Sequence, residues 1–207
     1  MHRPSAALGT ALLIATALSL AGCSTPAQDT PAAASAAEPA AAATAGSANQ
    51  ADVEFAQMMI VHHQGALDMA RLAAGRAGSP KVAELARRIE AAQQPEIETM
   101  TGWLDQWGAE PLAEAGAMPG MDHGSMTDTD AGGMASDADM RRLAEASGPQ
   151  FDAAFLDLMT VHHQGAVAMA QTEVEDGRNG AAVDLARRVI ADQTAEIELM
   201  GQLLASD

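Results

Sequence analysis

Two stretches of this chain set a pair of adjacent histidines into an apolar helical pattern. The first is Phe55-Ala56-Gln57-Met58-Met59-Ile60-Val61-His62-His63-Gln64-Gly65-Ala66-Leu67-Asp68-Met69-Ala70. The second keeps Phe155, Met159, Val161, His162, His163, Gln164, Gly165, Ala166, Met169 and Ala170. Imidazole nitrogen and thioether sulfur are donors for soft and borderline transition metals, so the chemistry this spacing points to is metal binding. Further on, Leu85-Ala86-Arg87-Arg88 returns as Leu185-Ala186-Arg187-Arg188. Gln93, Glu96, Ile97, Glu98 and Met100 return as Gln193, Glu196, Ile197, Glu198 and Met200. The offset never changes, which is the mark of an internal duplication.

The elements that must position these residues are helices. Ala, Leu, Glu and Arg are abundant, Tyr is absent and aromatic residues are few, a composition that favours helix over sheet. In each copy a first helix is expected, from about 52 to 75 and from 152 to 176, the latter ending at Gly177 as a C′ glycine. Ser79-Pro80 has the form of an N-cap followed by proline at N1. It opens a second helix reaching about Trp107, whose counterpart runs from about 181 to 205. Pro95 stands where the other copy has Ala195, so a kink is expected in the first copy alone. Short turns make each pair an antiparallel hairpin, 51–108 and 149–207. A Gly-, Met- and Asp-rich crossover, 109–148, joins them and carries a short helix from about 137 to 146. Two hairpins joined by one long crossover predict an all-α, ferritin-like four-helix bundle.

A helical wheel sorts the faces. Gln57, Gln64, Asp68 and Arg71 mark the solvent side of the first helix, whereas His62 and His63 flank the centre of its apolar stripe. On the second helix Gln93 and Glu96 share the stripe of Val82, Leu85, Ile89 and Met100, while Arg87 and Glu98 point away. Arg88 can reach Glu84 at i−4. Core-facing polar groups must find partners, so four histidines and two glutamates directed inward require a common explanation. Either they bind one another and fix the register of the bundle, or they hold a metal. The candidate ligands are His62, His63, His162, His163, Met59, Met159, Glu96, Glu196, Met100 and Met200.

The crossover adds Met118-Pro119-Gly120-Met121-Asp122-His123-Gly124-Ser125-Met126, then Met134 and Met140. Methionine in a polar linker has no core to fill. Thioether with imidazole suits copper, the thioether favouring Cu(I) and the imidazole also accepting Cu(II). Met121, His123 and Met126 therefore form a candidate secondary site, and copper is the expected metal.

The repeated Phe-x3-Met-x2-His-His-x-Gly-Ala-x2-Met-Ala, with Gln-x2-Glu-Ile-x2-Met after it, resembles the domain of unknown function 305 (DUF305) family. The resemblance covers about Asp52 to the C-terminus and includes the Met-Pro-Gly-Met and Asp139-Met140 parts of the crossover. It implies an exported ferritin-like bundle, with some members linked to copper binding and resistance. Thr160, where the family usually has an apolar residue, and Pro95 depart from its pattern; neither removes a candidate ligand.

The N-terminal region bears on location. His2 and Arg3 precede an apolar-to-small run from Ala6 to Leu20, too short for a good membrane span. It ends in Leu20-Ala21-Gly22-Cys23, which resembles the lipobox of bacterial lipoproteins. Residues 1–22 are thus expected to be a signal peptide, with Cys23 lipidated and working outside the cytoplasm as a membrane anchor, since two acyl chains suffice for stable anchoring. Residues 23–50, rich in Ala and Pro, read as a flexible tether. Cys23 is the sole cysteine, so no intramolecular disulfide forms, and the net charge of −17 excludes a nucleic-acid partner. The residues are expected to form a non-enzymatic copper protein that sequesters or relays the metal to a transfer partner. The alternatives are a ferritin-like di-metal oxidase and a metal-free interaction module. Against the oxidase stands the absence of the Glu-x-x-His pattern typical of such sites. No nucleophile elbow or phosphate-binding glycine loop occurs.

Overall fold

The computed structural model describes residues 47–112 and 132–206. Its helices are α1 (Gln50–Arg76), α2 (Pro80–Trp107), α3 (Asp137–Glu145), α4 (Pro149–Asp176) and α5 (Gly180–Leu204), and no strand occurs among the described residues. The chain is an all-α helical bundle, as expected, with boundaries within a few residues of those read from the sequence. Cys23, the signal-like segment, most of the tether, and Met118, Met121, His123 and Met126 lie outside the described residues.

Side chains set the helix starts. Asn49 and Asp52 form a capping box on α1, each accepting from the other's backbone N–H. Ser79 caps α2 with Pro80 behind it, and Asn179 accepts from the N–H groups of Ala181 and Ala182 at the head of α5. The helix α2 continues through Pro95, and the Thr99 hydroxyl donates to the Pro95 carbonyl at 2.8 Å. Two local expectations change. Gly177 has φ −65 and is not a left-handed cap; it is glycine because a Cβ there would run into the Glu173 carboxyl group. Glu84 pairs with Arg87 at i+3, not with Arg88.

The helices α1 and α4 pack on each other, α2 packs on α1, and α5 on α4, while α3 bridges α1 and α4. One apolar cluster joins Met69 and Ala73, late in α1, to Phe151 and Phe155, early in α4. The other joins Phe55 and Met59, early in α1, to Ala166 and Ala170, late in α4. The two helices therefore cross antiparallel, and the crossing falls at the histidine pairs. A reciprocal clasp fixes it. Asp52 accepts from the backbone N–H groups of Arg178 (3.0 Å) and Asn179 (2.8 Å), in the turn of the second hairpin. Asp152 accepts from Gly78 (3.0 Å) and Ser79 (2.7 Å), in the turn of the first. Each hairpin thus satisfies the orphan donors at the other's second helix.

Candidate metal centre

Because the crossing falls mid-helix, each His-His pair meets its own copy. All four histidines are buried. The His62 and His162 rings lie against each other with centroids 3.7 Å apart. On either side, His63 Nε2 meets Glu96 Oε2 at 2.7 Å and His163 Nε2 meets Glu196 Oε2 at 2.6 Å. The two glutamates remain 22% and 23% exposed. The expected convergence of four histidines and two glutamates is thus resolved into a central pair and two flanking dyads.

Burial sets the protonation of the central pair. It drives the His62 pKa down to about 3, helped by His63 and opposed by the Gly132 contact. The same desolvation, with the neighbouring imidazoles, holds His162 well below its ordinary value. Both rings are therefore neutral near pH 7, and a neutral imidazole offers a lone pair without first losing a proton.

Hydrogen bonding fixes which nitrogen is available. The Gly132 carbonyl lies 3.0 Å from His62 Nε2 and can only accept, so Nε2 carries the proton. At His63 and His163 the partner is again an Nε2-bound oxygen. The Nδ1 atoms of His62, His63 and His163 and both nitrogens of His162 are buried without a hydrogen-bond partner, as are both amide atoms of Gln93 and Oε1 of Gln193. Histidine metal ligands characteristically give their second nitrogen to a carboxylate or backbone carbonyl, which orients the ring. The orphaned nitrogens and their oxygen-bound partners fit a bound metal. In this arrangement Glu96 and Glu196 stand as acceptors that orient His63 and His163.

The methionines divide. Met59 and Met100 are buried in one apolar cluster, and Met159 and Met200 in the other. Met200 also receives the Thr160 hydroxyl at 3.8 Å. Met134 is different: it comes from the crossover and reaches the central pair. A Cβ placed on Gly65 would meet the Met134 methyl at 3.2 Å, His162 Nε2 at 3.3 Å and the Met134 sulfur at 3.7 Å. The thioether and the unpartnered imidazole edge thus border the same point. Sequence reasoning noted Met134 in the crossover but did not place it with the histidines. The signal was a methionine in a polar segment directly after Gly132-Gly133. No three His, Cys, Asp or Glu side chains among the described residues already form a metal-holding group.

The profile of the family described as domain of unknown function (DUF305) matches residues 52–204. Among solved structures, a DUF305 protein from Streptomyces coelicolor, described as secreted, is similar at 38% identity with a TM-score of 0.66. It covers 75% of this chain and 93% of its own. A DUF305 fragment from Deinococcus radiodurans is similar at 31% identity with a TM-score of 0.65, covering 77% of this chain and 99% of its own. CopM in its Cu(II)-bound form is similar at 36% identity with a TM-score of 0.62, covering 75% of this chain and 96% of its own. CopM is also known in Cu(I)-bound and silver-bound forms. A search of curated proteins finds no match.

Proposed function

The chain belongs to the DUF305 family, and from that premise we propose that it is a non-enzymatic copper-binding protein that sequesters or relays copper outside the cytoplasm. The observation that carries the reading is the buried, neutral His62–His162 pair, where nitrogen lone pairs lie without any protein partner. Imidazoles accept both copper oxidation states, and a neighbouring thioether favours Cu(I). The similarity to CopM, a protein seen with Cu(I), Cu(II) and silver, supports the same class of metal.

Anchoring belongs to the same proposal. Lipid on Cys23 would tether the domain at a membrane through residues 24–49. Among the described residues no helix is long and apolar enough to cross one. The relative described as secreted supports an extracytoplasmic setting. An enzymatic role has less to stand on. The carboxylates near the histidines are tied to imidazoles and partly exposed, and among the described residues no carboxylate-rich ligand set of the di-metal oxidase kind is assembled.

The test is titration of the purified protein with Cu(I), Cu(II), Zn(II) and Fe(II), with dioxygen uptake followed in parallel. Tight Cu(I) binding without turnover is expected. Failure to bind copper would assign the histidines to a structural network, and Fe(II)-dependent dioxygen consumption would assign the protein to the oxidases. A Cys23→Ala variant should leave the membrane fraction for the soluble one; if it stays, the anchor lies elsewhere.

A further inference from the structure

We propose that Met134 is a copper ligand in the same centre as His62 and His162, presented by a glycine-seated strap of the crossover that also orients His62. This rests on the copper reading above. It adds a donor from outside the repeated helices.

Three observations converge on the strap. Its Gly132 carbonyl accepts the His62 Nε2 proton, which directs the His62 lone pair to Nδ1. Its Met134 thioether stands over Gly65 beside His162 Nε2, a buried nitrogen with no partner. Its seat is cut to the backbone. A Cβ on Gly165 would overlap the Gly132 carbonyl, and Gly133, at φ +81, lies against the Val161 and His162 backbone with no room for a side chain. A polar linker passing over two helices has no need of so close an approach. A linker that must hold one sulfur at a fixed point does.

The donor chemistry points the same way. Among the described residues no three His, Cys, Asp or Glu side chains are grouped so as to hold a metal ion. A thioether completes a two-imidazole set in the manner that selects Cu(I) and Ag(I) over harder ions. The strap is also single, so it can supply this sulfur once and not once per copy. The centre it forms is unsymmetrical and holds one ion.

The experiment compares the full-length protein with Met134→Leu and Gly165→Ala. Each is loaded with Cu(I) alone and examined by X-ray absorption for sulfur in the coordination shell, with affinity measured against a chromophoric chelator. Met134→Leu removes the sulfur and keeps the volume; Gly165→Ala evicts the strap while leaving every ligand in the sequence. The wild type should show a sulfur ligand. Both variants should lose it, with Cu(I) affinity falling about 10- to 100-fold and Cu(II) affinity changing much less. Persistence of the sulfur signal in Met134→Leu would overturn the assignment while leaving the copper reading intact. Its persistence in Gly165→Ala, with helicity retained, would overturn the role of the strap. Absence of Cu(I) binding in the wild type would overturn the copper reading, and this inference with it.

Discussion

In the first copy of the repeat, Gly65 leaves room for a thioether and the edge of an imidazole; in the second, Gly165 leaves room for a backbone carbonyl. His62 is tied to that carbonyl, whereas its equivalent His162 has only the His62 backbone for a neighbouring acceptor, beyond good hydrogen-bond geometry. Duplication has made the scaffold two-fold: two His–Glu dyads, two aspartate clasps, two apolar clusters. The crossover occurs once and breaks the symmetry where it lies down. A similar divergence separates Ala73, a small core residue, from Glu173, a buried carboxyl group beside Asp52. The shared features carry stability, and the differences carry chemistry.

The clasps should show the largest effect on stability. Asp152→Ala leaves two backbone N–H groups without their charged acceptor and should cost about 3 kcal/mol in urea unfolding. Asp52→Ala should cost more, because that carboxylate also accepts from the Asn49 backbone N–H at the head of α1. Equal costs would dissolve this difference between the copies.

Glu173 comes next. Burial, reinforced by Asp52, raises its pKa from an ordinary 4.5 to about 8. Burial also pushes Asp52 upward, but backbone N–H groups of Asn49, Asn179 and Arg178, together with Glu173, outweigh it and hold Asp52 low. Glu54 and Asp176 line the same opening and add negative potential. The folded chain therefore keeps a proton that the unfolded chain releases. The resulting stability is complete below about pH 4.5 and is lost as the pH rises through about 8. Glu173→Gln should flatten that profile and raise the melting temperature at pH 9 by several degrees, on the order of 1–2 kcal/mol. Parallel profiles for wild type and variant would show that Glu173 does not hold this proton.

The dyads test the symmetry from the other side. His63→Ala and His163→Ala should destabilise the metal-free protein by the same amount, about 1–3 kcal/mol each, since each frees a glutamate that water can reach. A difference above about 1 kcal/mol would mean that the asymmetry extends beyond the strap. The smallest effects belong to the exposed pairs. Arg87→Ala and Arg187→Ala should each change stability by less than about 0.5 kcal/mol, because solvent screens both partners.

Much of this arrangement was legible in the sequence. The helical period put His62 and His162 on the buried face, and Ser79-Pro80 marked the start of α2. These features follow from spacing within one helix. The clasps were not read, although Asp52 and Asp152 repeat at the same offset, because their partners are backbone groups of the opposite hairpin and carry no side-chain signature. Glu96 and Glu196 shared the apolar stripe on the wheel, yet their carboxylates reach its edge and stay partly exposed, since a glutamate stem can carry its head outward. Met134 was visible as a misplaced thioether, but its destination depends on how the crossover returns across α1 and α4. That is a tertiary contact which no local period encodes.

The proposed copper site is the crossing of the two copies, and not either dyad. The most direct measurement is Cu(I) titration of the His62→Ala/His162→Ala protein beside wild type, with helicity recorded on the same samples. High-affinity binding should disappear while the helical signal is unchanged. Wild-type affinity in that double variant would contradict that site.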